Sequence, residues 1–335
     1  LMYVVLASLF KIFGIKKIMK YFPPIVTGPI IICIGLILSS SAITNCQSNW
    51  PIALVAIVTV VIANIWGKGM IKIIPILLGV IASYAVAAVT GNADFSAVKD
   101  AAWIGLPVAY KDTMFSIFTD GNLDTGMLIT ALFTIVPISL ATMVEHIGDI
   151  CAISSTCERN YIQNPGLHRT LLGDGLATSL AAMFGAPANT TYGENTGVLA
   201  LSRVYDPRVI RLAAIFAIIF SFSPKFAALI SAMPDATIGG ISLILYGMIS
   251  AVGVRNVVEN QVDFTNSRNV LIAAIILVLA IGINYSIGSV TIGAVSLSGL
   301  AVASLVGILL NAVLPGKDYE FEPEDQGSTS VNFKV

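Results

Sequence analysis

Glu145, His146 and Asp149 stand in a run that is otherwise apolar from Met127 to Val144 and continues to Cys157. An ionisable side chain inside such a run is costly to bury and is a functional candidate by default. Glu145 and Asp149 are four residues apart, so on a helix they share one face, while His146 points elsewhere. Two carboxylates held close in a low dielectric resist ionising together. One of them then takes up and releases a proton near neutral pH. The plainer alternative is that both simply approach a headgroup layer. It is weakened by the eight further residues between Asp149 and the polar break after Cys157.

A second candidate is the stretch Gly185-Ala186-Pro187-Ala188-Asn189-Thr190-Thr191-Tyr192-Gly193-Glu194-Asn195-Thr196-Gly197. An apolar span ends here, the chain extends through Pro187, and a run too short to cross a bilayer follows to about Ser202. Broken backbone at membrane depth is tolerated only inside protein or beside a water-filled cavity. A half-helix opening there directs free N–H groups and its positive dipole end at that cavity, with Glu194 in the first turn. The local alternative is a capping box, Thr191-x-x-Glu194. Carboxylates that accept and backbone N–H groups that donate suit a neutral planar ligand with N–H and carbonyl groups on its edge. Such a site is fully satisfied only by the right ligand. Asp174, between Gly173 and Gly175, either joins this proton network or marks close helix packing. Tyr246, beside Gly247 on a glycine-rich helix, is a candidate gate.

The elements that must hold these groups are membrane spans. Of the 335 residues, 56% are hydrophobic and 11% are charged, against roughly 45–50% and 25% in soluble domains. Spans are expected at 22–43, 51–66, 73–90, 127–157, 170–186, 209–232, 237–253, 269–287 and 293–314. With the shorter run 191–202 and an opening apolar stub, eleven crossings are expected in an all-α polytopic membrane protein. Fifteen of the eighteen Lys and Arg residues then fall on one side, and Lys99, Lys111 and Lys225 on the other. The positive-inside rule places the C-terminus in the cytoplasm. The acidic tail from 317 is expected to be disordered. No basic stripe points to nucleic acid, and the four cysteines show neither metal-ligand spacing nor a disulfide framework.

The chain opens with Leu1 inside an apolar run, with no charged flank, which suggests that a front part is missing. Internal symmetry points the same way. Gly28 and Gly35 follow Pro23-Pro24 seven apart, as Gly240 and Gly247 follow Pro234. If these helices are equivalent, they run in opposite directions in two inverted repeats, and the first repeat lacks three upstream crossings.

Phe22-Pro23-Pro24 with Thr27-Gly28, Glu145-His146-Ile147-Gly148-Asp149, Asn164-Pro165-Gly166-Leu167-His168-Arg169, Gly173-Asp174-Gly175 and Asn189-Thr190-Thr191-Tyr192-Gly193-Glu194-Asn195 together carry a resemblance. Over essentially its whole length the chain resembles the nucleobase–ascorbate transporter family, and within it the bacterial uracil permeases. The resemblance implies a seven-plus-seven inverted-repeat fold of core and gate domains, with the first three spans absent here. Residues 1–20 and 125–232 would be core, 21–92 and 233–314 gate, 93–124 an external loop and 315–335 the cytoplasmic tail. It further implies uracil:proton symport across the cytoplasmic membrane, with no cofactor beyond the proton gradient and a homodimer formed through the gate. Glu145 and Glu194 would hold the base, with Gly193 offering a backbone N–H and Tyr192 adjoining. Glu145, Asp149 and Asp174 would couple the proton. Purine and xanthine relatives usually have Gln where this chain has Glu194, which favours uracil. Asp149 stands where the best-known uracil permeases have His and many other members have Asp. The rivals are a xanthine or urate symporter, an anion exchanger on the same fold, and a membrane hydrolase using Glu145, His146 and His168. Against the last, the chain has two His and no His-Glu-x-x-His spacing.

Overall fold

The computed structural model describes residues 2–120, 125–157, 159–189, 191, 192, 195, 199, 204–292 and 295–316. The longer helices are α1 (Met2–Phe13), α2 (Pro24–Gln47), α3 (Trp50–Ile65), α4 (Pro75–Val89), α5 (Thr125–Thr156), α6 (Leu167–Met183), α7 (Pro207–Ser221), α8 (Pro224–Ser231), α9 (Asp235–Glu259), α10 (Ser267–Ser286) and α11 (Gly299–Val313). Their starts are written locally. Asn49, Asp206, Ser223, Asn266 and Ser298 each accept a hydrogen bond from an N–H of the first turn. Proline occupies the opening turn of α3, α4, α7 and α8, where its missing N–H is of no consequence.

By length and composition, α2, α9 and α10 can each cross a membrane, and α1, α3, α4 and α11 are shorter apolar helices. Two expectations need correction. The span expected at 209–232 is two helices, α7 and α8, bent by 95°. Ser223 caps α8 and Pro224 supplies no N–H to carry α7 onward, so the helix ends at the short polar break Ser221-Phe222-Ser223-Pro224-Lys225. The span expected at 293–314 begins as a strand, and so the protein is not purely α-helical. β1 (Ser289–Ile292) pairs antiparallel with β2 (Val295–Ser298), Ser289 opposite Ser298. Its β-branched residues Val290, Thr291, Ile292 and Val295 favour that geometry over helix. Of the half-helix expected at 191–202, only residues 191, 192, 195 and 199 are described, and the tail from 317 lies outside the described residues.

The chain forms two compact units. In the first (Leu1–Ile37, Lys111–Thr196 and Met248–Val335), the core is built from Ile30, Met143, Ile147, Ile162, Leu167, Leu171, Ile272 and Ile276. Here α2 and α9 run antiparallel at close range. A methyl group at Gly253 would lie 2.6 Å from the Ile32 nitrogen and 2.8 Å from the Gly28 oxygen. The Ser250 hydroxyl donates to the Ile32 carbonyl at 3.0 Å, and the Asn256 amide to Thr27 Oγ1 at 3.2 Å. In the same unit, the Arg268 guanidinium is buried at the C-terminus of α11. It donates to the Asn311 carbonyl (3.1 Å), to Asn311 Oδ1 (2.7 Å), to Asn269 Oδ1 (3.2 Å) and to the Leu314 carbonyl (3.4 Å). A cation there complements the negative end of the helix dipole.

The second unit comprises Leu38–Tyr110 and Gly197–Gly247. Gly79 of α4 packs on Val60 of α3, and Gly240 of α9 packs on Ala53, so small residues set the helix spacing. The Lys225 ammonium lies 4.7 Å from the Trp103 ring centre. Along α7, Ile210, Leu212, Phe216 and Ile219 are all more than half exposed. A continuous apolar surface of this kind suits lipid rather than water.

Candidate functional site

Helix α5 carries the first candidates, and at their level it is enclosed on several sides. Glu145, His146, Ile147, Gly148 and Asp149 are all buried, with Glu145 9% and Asp149 6% exposed. Gly148 faces α2 and α9: a methyl group there would sit 2.9 Å from Ile31 Cδ1 and 3.7 Å from Asn256 Nδ2. β2 and α11 also pack against α5. His146 turns to α6 and α1, away from the Gly148 side.

His146 is the centre of a hydrogen-bonded network that its sequence position alone does not disclose. Its Nδ1 lies 2.9 Å from Asp174 Oδ2 and 2.8 Å from Thr191 Oγ1. The Thr191 hydroxyl donates to the same Asp174 oxygen at 3.0 Å. On the other side of the ring, Nε2 lies 3.1 Å from Thr170 Oγ1. Tyr3 of α1 meets the ring edge-on, with centroids 6.1 Å apart. Its buried hydroxyl lies beside Thr142 and within electrostatic reach of Asp174, Glu145 and Asp149.

The Gly173-Asp174-Gly175 motif lies at this network. Asp174 joins the network, and Gly175 lets α1 close on α6, since any side chain there would collide with Tyr3. Gly173 has open space around it. After α6 the chain turns at Gly185, whose positive φ of 83° and close approach to the Asp112 carbonyl both require glycine. Residues 186–189 and 191–192 then run without helix or strand. Thr178 donates to the Asn189 carbonyl at 3.3 Å, and Thr191 reaches Asp174. Four helical residues and two extended ones each cover about 6 Å. The segment therefore runs back along α6 toward the level of His146, as a re-entrant stretch should.

Of the other candidates, Gly193 and Glu194 lie outside the described residues, two and three positions beyond Thr191. Tyr192 is exposed. Tyr246 is partly exposed, on the portion of α9 that belongs to the second unit. Among the described residues no group of three or more His, Cys, Asp or Glu is placed to hold a metal ion.

Buried carboxylates and an imidazole inside a bundle of apolar helices, beside a re-entrant segment, are the construction of a multi-pass membrane transporter. Residues 1–289 match the model of the Permease family that takes in xanthine and uracil permeases. The chain is 38% identical over 328 residues to the uracil permease of Bacillus caldolyticus, an alignment covering 95% of this chain and 73% of that protein. It is 36% identical over 351 residues to the uracil permease of Bacillus subtilis (strain 168), covering 100% and 77%. To the putative pyrimidine permease RutG of Escherichia coli (strain K12) it is 33% identical over 335 residues, covering 97% and 72%. The chain belongs to this permease family, the nucleobase–ascorbate transporters, and is a transporter rather than an enzyme.

Proposed function

We propose that the protein carries out uracil:proton symport across the cytoplasmic membrane by alternating access. The observation that supports this most is the burial of Glu145 and Asp149 on α5, the helix whose His146 meets Thr191 of the segment that returns along α6. Relatives that carry the name uracil permease support the choice of base. On this reading Glu145 and Glu194 accept from the ring N–H groups of uracil, and the Gly193 N–H donates to a carbonyl, with Tyr192 adjoining. Protonation of Glu145 favours binding from outside. Release of that proton to the cytoplasm frees the base, and Asp149 and Asp174 assist the transfer.

The moving parts are the core (1–20 and 125–232) and the gate (21–92 and 233–314), built as inverted repeats, with Tyr246 on the gate. The gate also forms the homodimer contact, and the C-terminus is cytoplasmic. The proton gradient drives transport, and no cofactor takes part. Equilibrium binding of labelled uracil, with xanthine, urate and inorganic anions as competitors, tests the assignment. Glu145→Ala and Glu194→Ala should each abolish binding. Unaltered affinity in both variants would remove these carboxylates from the site, and displacement by xanthine in preference to uracil would reassign the substrate.

A further inference from the structure

We propose that His146 is a proton-carrying group in its own right, separate from the Glu145 and Asp149 carboxylates, and that its hydrogen bonds hold the re-entrant segment at Thr191. The argument starts from which atoms can donate. His146 Nδ1, Asp174 Oδ2 and Thr191 Oγ1 form a triangle with sides of 2.9, 2.8 and 3.0 Å. A carboxylate only accepts, so two hydrogens complete the triangle: one on Nδ1 and one on the Thr191 hydroxyl, both directed at Asp174. That leaves Nε2 to report the charge of the ring.

Nε2 faces Thr170 Oγ1 at 3.1 Å, and the Thr170 hydroxyl also lies 3.2 Å from the Leu167 carbonyl. With the ring neutral, the Thr170 hydroxyl donates to Nε2. When Nε2 takes up a proton from the aqueous phase, it donates to Thr170 Oγ1 instead, and the hydroxyl turns its hydrogen to the Leu167 carbonyl. Nδ1, Nε2 and both threonine hydroxyls keep a partner in both states, and only one hydroxyl rotates. A buried network that accepts a proton without leaving a polar atom unpaired avoids the main penalty of charging its interior. The other titratable groups around the ring are Asp174 on α6, Glu145 and Asp149 on α5 and Tyr3 on α1.

The inference deepens the proton coupling proposed above and rests on that reading for its role in transport, yet the proton site can be tested without substrate. The chain has two histidines, so His168→Asn in this chain leaves His146 as its single signal in ¹⁵N-histidine NMR. The expected result is an Nδ1–H present throughout, with Nε2 passing from bare to protonated as the pH is lowered. In Thr170→Val, which deletes the acceptor for Nε2–H, the doubly protonated fraction at a fixed acidic pH should fall. A ring bearing its hydrogen on Nε2 with Nδ1 bare, or no titration while the protein stays folded, would overturn the proposal. The transport arm uses His146→Asn, which keeps a donor toward Asp174 but cannot take a proton. The pH profile of uptake should flatten. An unchanged profile would overturn the coupling role. Titration of His146 without any uracil binding would instead count against the substrate assignment alone.

Discussion

Replacing Thr191 by valine removes one hydroxyl and leaves the side-chain volume almost unchanged. That hydroxyl donates to Asp174 Oδ2 at 3.0 Å and lies 2.8 Å from His146 Nδ1. A hydrogen bond to an ionised group contributes about 1.5–3 kcal/mol. The loss therefore shifts the balance between a docked and an undocked re-entrant segment by about 10- to 150-fold. On the proposed reading, uracil affinity falls with the fraction of molecules in which that segment is in place. Isothermal titration of the purified protein in detergent should show Thr191→Val weakening binding by up to this factor. Thr178→Val is the control: it removes a single, longer bond from an uncharged donor to the Asn189 carbonyl, at 3.3 Å, and should weaken binding only a few-fold. Thr191→Val binding uracil as well as wild type would refute the claim that the network positions the segment.

Three further predictions concern the scaffold. Arg268→Met should destabilise the protein by at least about 2 kcal/mol in thermal unfolding, because several buried acceptors lose a charged donor. Lys should not restore them, since it lacks the guanidinium fork. Gly253→Ala should cost about 1–3 kcal/mol by forcing α2 from α9, while Gly247→Ala, which meets nothing within 4 Å, should be tolerated. Asp263, in the loop between α9 and α10, is held below the usual carboxylate range by the Thr265 hydroxyl and backbone N–H, which it accepts at 2.7 Å each. A depressed folded-state value contributes stability above about pH 4 that is lost as pH falls through it. Thermal melts of Asp263→Asn should lack that part of the acid-side decline, and an identical decline would contradict it.

The sequence exposes α5 and its carboxylates because both signals are local: a long apolar run, and two acidic residues four apart inside it. The network around His146 is invisible at that level. Its partners Asp174 and Thr191 are 28 and 45 positions away, and Tyr3 arrives from the start of the chain. The helix period places His146 off the face shared by Glu145 and Asp149, which suggests a bystander. In the fold, that direction is where α6 and the re-entrant segment lie. The bend at Ser223–Pro224 was legible in principle, because a capping serine before proline is a helix start. Averaged hydropathy does not register it, because the apolar residues on either side outweigh Ser221, Ser223 and Lys225. The β1–β2 pair escaped for a related reason, since an apolar run of β-branched residues reads equally well as a span. Arg268 counted in the sequence only as a positive charge on one side of the membrane, whereas the fold buries it against the end of α11.

The most direct test of the whole account is equilibrium binding of labelled uracil to the full translated protein across a range of pH, with Glu145→Ala alongside. The account predicts saturable binding that depends on pH in the wild type and is absent in the variant. Binding that ignores pH, or that survives in Glu145→Ala, would contradict it.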